Sequence, residues 1–206
     1  SFSRFKRMLP PKDRFWADPH VMQKEDKFYI FIEELIYQKK KGHISVIEMD
    51  EKGKYGPPRV VLDKPYHLSY PFVFEENGEW YMIPESHENK TIELYKCTSF
   101  PDKWELQCIL LKDTDAVDTT LWKKDGIYYL FTTLRAAPQS DEHDSLCIYY
   151  SSVLESSQWT PHPCNPIKND IKTGRMAGKL FMYGENLYRP AQDGARHRSE
   201  EHTSEL

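Results

Sequence analysis

The sequence lacks the features that would mark a membrane, disulfide-bonded or nucleic-acid-binding protein. No uninterrupted apolar run approaches ~18 residues, which excludes a transmembrane helix, and no signal-peptide pattern opens the chain. The 206 residues carry 28 Lys+Arg against 32 Asp+Glu, whereas a nucleic-acid binder needs a basic face. The four cysteines show no Cys-x-x-Cys spacing, so neither a disulfide framework nor a zinc site is predicted. Free cysteines slightly favour the cytoplasm.

Aromatic residues, by contrast, are abundant at 14%, and they recur in a repeated hairpin. Rings pack well on pleated sheets and also suit sugar-stacking surfaces. Four segments each combine a strand, a polar turn with Gly, Asn or Asp, and a second aromatic strand, which is the pattern of a β-hairpin. In each hairpin two anchor positions lie 15 residues apart: Asp18 and Glu33, Tyr70 and Glu85, Asp118 and Thr133, Ala177 and Gln192.

Two further strand-like runs follow each of the first three hairpins. They cover residues 43–49 and 59–62, then 91–97 and 104–111, then 146–152 and 159–162. Four strands per unit, repeated every 48 to 59 residues, are typical of β-propeller blades. The sequence therefore predicts an all-β propeller with blade repeats starting near residues 17, 69, 117 and 176, or about three and a half blades.

The two ends of the chain have the character of cuts. The chain starts without methionine, and residues 198–206 resemble the translation of a sequencing-adapter oligonucleotide, as in a metagenomic fragment. We therefore expect residues 1–197 to form an incomplete propeller domain. We expect residues 198–206 to be an artefact that packs against nothing.

The shared offset places the anchors at one end of every hairpin. The first strand of a propeller blade lines the central channel. We therefore expect one polar mouth, formed by Asp18, Glu33, Tyr70, Glu85, Asp118 and Gln192. Asp18 should face Glu33 across the first hairpin, about 5 Å away at Cβ. Carboxylates this close repel one another, so at least one should have a raised pKa unless Arg175 or Arg189 compensates.

The segments that carry these anchors resemble known carbohydrate-active propellers. Ala17–Pro19 and the aromatic strands ending in Glu resemble the five-bladed propellers of arabinanases, β-xylosidases, invertases and levansucrases. Further segments support a closer resemblance: residues 66–74, 83–86, 92–95, 117–120, 162–166 and 189–193. Over residues 14–193 the chain resembles the N-terminal propeller domain of plant glucosamine inositolphosphorylceramide transferases. Similar bacterial propellers occur beside formyltransferase-like domains.

The resemblance implies a five-bladed propeller of the glycosyl hydrolase type, truncated here, with roles for particular acids. Asp18 matches the blade-one acid that serves as general base or nucleophile, and Asp118 matches the blade-three acid that orients the site or tunes the pKa of its partner. The blade-four general acid has no counterpart, because residues 174–178 contain no carboxylate. Glu85 or Glu33 could substitute, but neither matches that position. Since glycoside hydrolysis uses two carboxyl groups, this departure argues against it.

Three functions stay open. The first is a propeller that binds or presents a glycan or sugar phosphate beside a transferase domain on the same polypeptide. The second is a glycoside hydrolase that uses Asp18 as base or nucleophile, Asp118 as orienting acid and Glu85 as general acid. The third is a scaffold without a ligand. The candidate substrate-binding residues are Glu33, His67, Tyr70, Arg175, Arg189 and Gln192.

Arg175 and Arg189 favour the first function, because cations beside carboxylates would bind an anionic sugar or sugar phosphate. The alternative is that they form ion pairs with Asp118, Glu85 or Asp193. The converging acids could hold Ca²⁺ together with His67, although nothing in the spacing demands a metal. The histidines without a partner pattern are expected to be surface or capping residues: His20, His43, His87 and His143.

Overall fold

The computed structural model describes residues 6–135 and 143–194, which fold as strands joined by short turns. The single helical element in these residues is a 3-10 turn over His87–Asn89. None of the described helical segments is long and apolar enough to cross a membrane. The all-β prediction is confirmed for this part of the chain, whereas the segment 198–206 lies outside it.

Three antiparallel sheets follow one another along the chain, each in sequential strand order. The first sheet comprises β1 (Arg14–Lys24), β2 (Lys27–Ile36), β3 (Lys41–Asp50) and β4 (Arg59–Leu62). The second comprises β5 (Ser69–Glu76), β6 (Glu79–Ser86), β7 (Thr91–Ser99) and β8 (Lys103–Lys112). The third comprises β9 (Ala116–Lys124), β10 (Ile127–Arg135), β11 (His143–Ser151), β12 (Thr160–Pro161) and β13 (Lys168–Asn169).

The third sheet departs from the predicted four strands at its outer edge. Both β12 and β13 pair with β11, and β12 is shorter than the predicted strand over residues 159–162. Pro161 and Pro163 lack the N–H that a strand ladder requires, which accounts for the short pairing.

The fourth unit is built from very short strands. β14 (Arg175–Met176) pairs with β17 (Ala191–Gln192), and β15 (Phe181–Tyr183) pairs with β16 (Asn186–Tyr188). Gln192 therefore lies opposite Arg175, and the predicted anchor Ala177 lies just beyond the paired residues.

The first hairpin corrects the predicted pairing of Asp18. Ala17 pairs with Glu33, and the ladder resumes only at His20 opposite Phe31. Asp18 lies in the β-bulge between them, with a φ of 48°. Asp tolerates this left-handed region better than most residues. The expectation that Asp18 faces Glu33 is therefore wrong by one residue.

The same bulge recurs in the next two units. Tyr70 and Asp118 take φ values of 40° and 52° at the matching positions. The residues that pair across the two hairpins are Ser69 with Glu85 and Val117 with Thr133. A left-handed Tyr is rare and strained, which marks this end of the hairpins as a place where local geometry is held by its surroundings.

An aromatic pair recurs near the turn of two hairpins. Phe74 and Tyr81 stack with centroids 5.6 Å apart inside the core that joins the second and third sheets. Phe181 and Tyr188 hold the same register positions relative to their turn and also stack at 5.6 Å. Phe181, however, is 37% exposed. The fourth unit thus repeats a ring pair that the second unit buries.

Candidate functional site

The bulged ends of the hairpins border a cavity of about 250 Å³. Its wall is formed by Asp18–His20 on β1, Tyr70–Pro71 on β5, Ala177–Gly178 and Gln192. Ligand pockets commonly enclose a few hundred Å³, so this cavity suits a small group such as one sugar ring. Three of the sequence-predicted site residues, Asp18, Tyr70 and Gln192, are thus brought together on one wall.

Asp18 is the carboxylate on that wall, and it is partly buried. Its Oδ2 accepts a hydrogen bond from the backbone N–H of Tyr70 at 3.2 Å. Burial, followed by the charges of Glu33 and Glu85, raises the pKa of Asp18 to about 6. The bond between Asp18 and Tyr70 also ties the first bulge to the second.

Asp118 is 2% exposed and is held by groups of the fourth unit. Arg175 Nε donates to Asp118 Oδ2 at 2.5 Å, and Gln192 Nε2 donates to the same oxygen at 3.2 Å. Burial raises the pKa of Asp118; Arg175 opposes this, and the Glu85 charge adds to it. Of the two predicted compensating arginines, Arg175 is therefore the one that pairs with a mouth acid.

Glu85 links the second and third units. Its Oε2 accepts the backbone N–H of Asp118 at 3.1 Å, and its Oε1 lies 2.9 Å from Nδ1 of His87. Burial opposes the charge of Glu85, but His87 and Arg175 hold its pKa below the ordinary value. The same hydrogen bond raises the pKa of His87.

Glu33 and His67 form a second Glu–His pair, with Oε1 and Nε2 separated by 3.2 Å. Nδ1 of His67 accepts the backbone N–H of Gly42 at 3.0 Å, which leaves Nε2 to donate to Glu33. Gly42 makes the approach of the His67 ring feasible, because a Cβ there would lie 2.8 Å from Cε1 of His67. The predicted residues Glu33 and His67 are thus brought together.

Arg189 has different contacts from Arg175. Its guanidinium donates to the backbone carbonyl of Thr173 and lies 3.7 Å from the sulfur of Met176. Burial lowers the pKa of Arg189. These contacts fix the loop that precedes β14.

His20 was not recognised from the sequence as a site residue, and the expectation of a surface or capping role is wrong. It lines the cavity, and Nε2 donates to the carbonyl of Val73 at 2.8 Å. Burial, with a smaller contribution from Lys179, lowers the pKa of His20 to about 4. The available signal was its position in the same strand, two residues beyond Asp18.

Two other histidines also differ from that expectation. His43 is fully buried and pairs with Glu34 at 3.1 Å, and His87 binds Glu85. The side chain of His143 is outside the described part of the chain.

A calcium site is not supported by the described residues. Within residues 6–135 and 143–194, no group of three or more His, Cys, Asp or Glu side chains is arranged to hold a metal ion. The carboxylates of Glu85 and Asp118 are directed to His87 and Arg175 instead.

Comparison with solved structures places the fold. A GH43 β-1,3-galactosidase superposes with a TM-score of 0.69 at 11% identity, covering 88% of this chain and 40% of that one. An α-L-arabinanase of Cellvibrio cellulosa, solved with arabinohexaose, gives a TM-score of 0.63 at 13% identity, over 88% of this chain and 70% of that one. At such low identity the likeness shows the propeller-type fold alone.

Comparison of sequences is more specific. The family model described as glucosamine inositolphosphorylceramide transferase 1, N-terminal, matches residues 8–203. The glucosamine inositolphosphorylceramide transferase 1 of Arabidopsis thaliana is 37% identical over 182 residues, which is 87% of this chain. The chain spans about a quarter of the length of that relative, 24%. This chain therefore belongs to the family of N-terminal domains of glucosamine inositolphosphorylceramide transferase 1.

Proposed function

We propose that this domain binds or presents a glycan or sugar phosphate at the cavity, beside a transferase domain of the same polypeptide. The observation that carries the proposal is the state of Asp18 on the cavity wall. Its Oδ2 is bonded to Tyr70, and its Oδ1 has no partner among the described residues. A carboxylate that lines a small cavity and keeps one oxygen without a partner is suited to accept hydrogen bonds from sugar hydroxyls. The name of the Arabidopsis relative, a transferase, supports a neighbouring transferase domain.

The surroundings of the other acids favour binding over hydrolysis. Hydrolysis of a glycoside uses two carboxyl groups that flank the bond. Of the described residues that line the cavity, Asp18 alone carries a carboxylate. Glu85 and Asp118 are nearly fully buried and bonded to His87 and Arg175.

One observation supports the alternative, a glycoside hydrolase with Asp18 as base or nucleophile, Asp118 as orienting acid and Glu85 as acid. The pKa of Asp18 is raised to about 6, and perturbed carboxyl groups in a cavity are typical of catalytic sites. Glycan binding and hydrolysis make opposite predictions for the variant Asp18→Asn.

The test is Asp18→Asn, measured with the chain against a panel of methyl glycosides and sugar phosphates by NMR titration. Asn tolerates the φ of 48°, so the change removes the charge without backbone strain. We expect binding to weaken about 10-fold or more, since hydrogen bonds to a charged group contribute about 1.5–3 kcal/mol. Asp26→Asn, in the exposed turn at the other end of the same hairpin, is the matched control and should bind as wild type.

A different pair of results would establish the hydrolase instead. The wild-type chain would hydrolyse chromogenic glycosides, and Asp18→Asn would abolish this hydrolysis while retaining the affinity. Unchanged affinity in Asp18→Asn without any turnover would overturn both functions and leave a scaffold.

A further inference from the structure

The side-chain donors on the cavity wall are already used within the protein. His20 Nε2 donates to the carbonyl of Val73, and the hydroxyl of Tyr70 lies 2.9 Å from Thr120 Oγ1. Both hydrogens of the Gln192 amide are engaged as well, at Asp118 Oδ2 (3.2 Å) and the Met176 carbonyl (2.8 Å). The wall also includes Pro19 and Pro71, which have no N–H.

The acceptors on the same wall are unused. Among the described residues, nothing donates to Asp18 Oδ1, His20 Nδ1 or Gln192 Oε1. The residues that line the cavity thus carry three side-chain acceptors without a donor among the described residues, and one of them belongs to a carboxylate.

The acceptor role of His20 follows from its fixed tautomer. A carbonyl oxygen only accepts, so the bond to Val73 requires the proton on Nε2 and leaves a lone pair on Nδ1. The ring is held edge-on to Phe72, with centroids 5.1 Å apart. Burial and Lys179 lower the pKa of His20 to about 4, so the neutral form persists at physiological pH.

We infer that the cavity binds a sugar through hydrogen-bond acceptors of the protein, with His20 Nδ1 and Asp18 receiving hydrogen bonds from two donors of one sugar ring. The cavity therefore takes hydroxyl- or amino-bearing sugars and rejects sugar phosphates. This inference rests on the proposed function and narrows its ligand. A phosphate presents acceptors and negative charge to a wall whose side chains offer acceptors and a carboxylate, so it would lose its hydration without gaining donors. Arg175 and Arg189, which the sequence suggested as anion ligands, are not among the described residues that line the cavity; Arg175 Nε donates to Asp118, and Arg189 donates to the carbonyl of Thr173.

The first test compares matched sugars by NMR titration of the chain at pH 7. The panel contains the methyl glycoside and the 1-phosphate of glucose, galactose, arabinose and xylose, together with glucosamine and galactosamine. We expect at least one methyl glycoside or amino sugar to bind, and its 1-phosphate to bind at least ~10-fold more weakly. Equal or tighter binding of the phosphate would overturn the inference while leaving the proposed function intact.

The second test is His20→Gln, which retains a donor for Val73 and removes the Nδ1 acceptor. We expect ~10-fold weaker binding of the selected sugar, with partial recovery in His20→Asn, whose amide oxygen lies near the position of Nδ1. His162→Gln, a histidine near the edge of the third sheet, is the control. Dispersed amide spectra verify folding of each variant.

A direct readout separates contact from structural support. On binding, the pyridine-type ¹⁵N resonance of His20 Nδ1 should move upfield as that atom accepts a hydrogen bond. An unmoved resonance, or wild-type affinity in His20→Gln with loss in Asp18→Asn, would refute the role of His20 and spare the proposed function. Failure of every panel sugar to bind would count against the proposed function itself.

Discussion

Asp18 and Asp118 hold the same bulge position in two units, with φ values of 48° and 52°, but have different surroundings. Asp118 is buried and tied to Arg175 and Gln192 of the fourth unit. Asp18 lies on the wall of the cavity and receives one backbone N–H from Tyr70. One backbone motif thus yields a structural acid in the third unit and an accessible acid in the first. The difference comes from the neighbours and not from the hairpin itself.

The largest expected effect concerns the structural acid. Arg175→Met removes the cation from Asp118, and breaking a buried ion pair costs about 3–5 kcal/mol. Arg175 is 28% exposed, which places the expected loss of unfolding free energy near the lower bound, about 3 kcal/mol. Urea unfolding at pH 9 measures it, because the raised pKa of Asp118 leaves that carboxyl partly protonated at pH 7.

Arg189→Met is the control for this loss. Its charged guanidinium donates to a neutral backbone carbonyl, so a loss at the lower end of the range for a hydrogen bond with one charged partner, about 1.5 kcal/mol, is expected. The double variant Arg175→Met/Asp118→Asn should recover part of the lost stability, because it removes the unpaired charge. Equal losses in the two arginine variants would show that Asp118 does not depend on Arg175.

The accessible acid, Asp18, should lower the stability of the fold when it is ionised, whereas the ion pair of Asp118 raises it. The folded-state pKa of Asp18, about 6, lies above its ordinary value of 3.8, so the ionised form costs stability above pH 6. That cost disappears as the pH falls from 6 to below 4, where the carboxyl is protonated in both states. Asp18→Asn should therefore be more stable than wild type by up to about 3 kcal/mol at pH 7.5, and the difference should vanish below about pH 3. Urea unfolding across this range checks the trend, and a variant less stable at pH 7.5 would contradict it.

The smallest expected effects are changes in the pKa values of Asp18 and Asp118. The charge of Glu85 raises the pKa of both Asp18 and Asp118, whereas that of Glu33 raises the pKa of Asp18. Glu85→Gln should therefore lower both pKa values, and Glu33→Gln should act mainly on Asp18, each by roughly a few tenths of a pH unit. Carboxyl ¹³C NMR titration resolves the two groups. An equal response of Asp118 to both variants would refute this separation.

The repeat could be predicted from sequence because its signal is local. A strand, a polar turn and an aromatic strand stand together in each hairpin, and the 15-residue offset aligned Asp18, Tyr70 and Asp118. The bulge was not predictable in the same way. It inserts one residue into the first strand, and Tyr70 carries no local signature of a left-handed φ. The predicted pairing of Asp18 with Glu33 was therefore one residue out of register, since Ala17 pairs with Glu33.

The partners of the site residues depend on contacts that are remote in sequence. Arg175 reaches Asp118 across 57 positions, and His20 reaches Val73 across 53. No periodicity within a hairpin determines which acid an arginine meets or which nitrogen of a histidine is free. The sequence could therefore nominate Arg175 as a compensating cation but could not choose its acid, and it missed His20.

The exposed ring pair of the fourth unit has a consequence for local stability. Strands β15 and β16 are three residues each, and Tyr183 at their turn is 73% exposed, so this hairpin should open at a lower free energy than the long sheets. Ala177 and Gly178, just before β15, form part of the cavity wall. A ligand that needs this wall closed opposes the opening by about 2.7 kcal/mol at a concentration 100 times its Kd. Slower amide exchange in the hairpin of β15 and β16, which lies outside the cavity wall, thus reports that a ligand occupies the cavity.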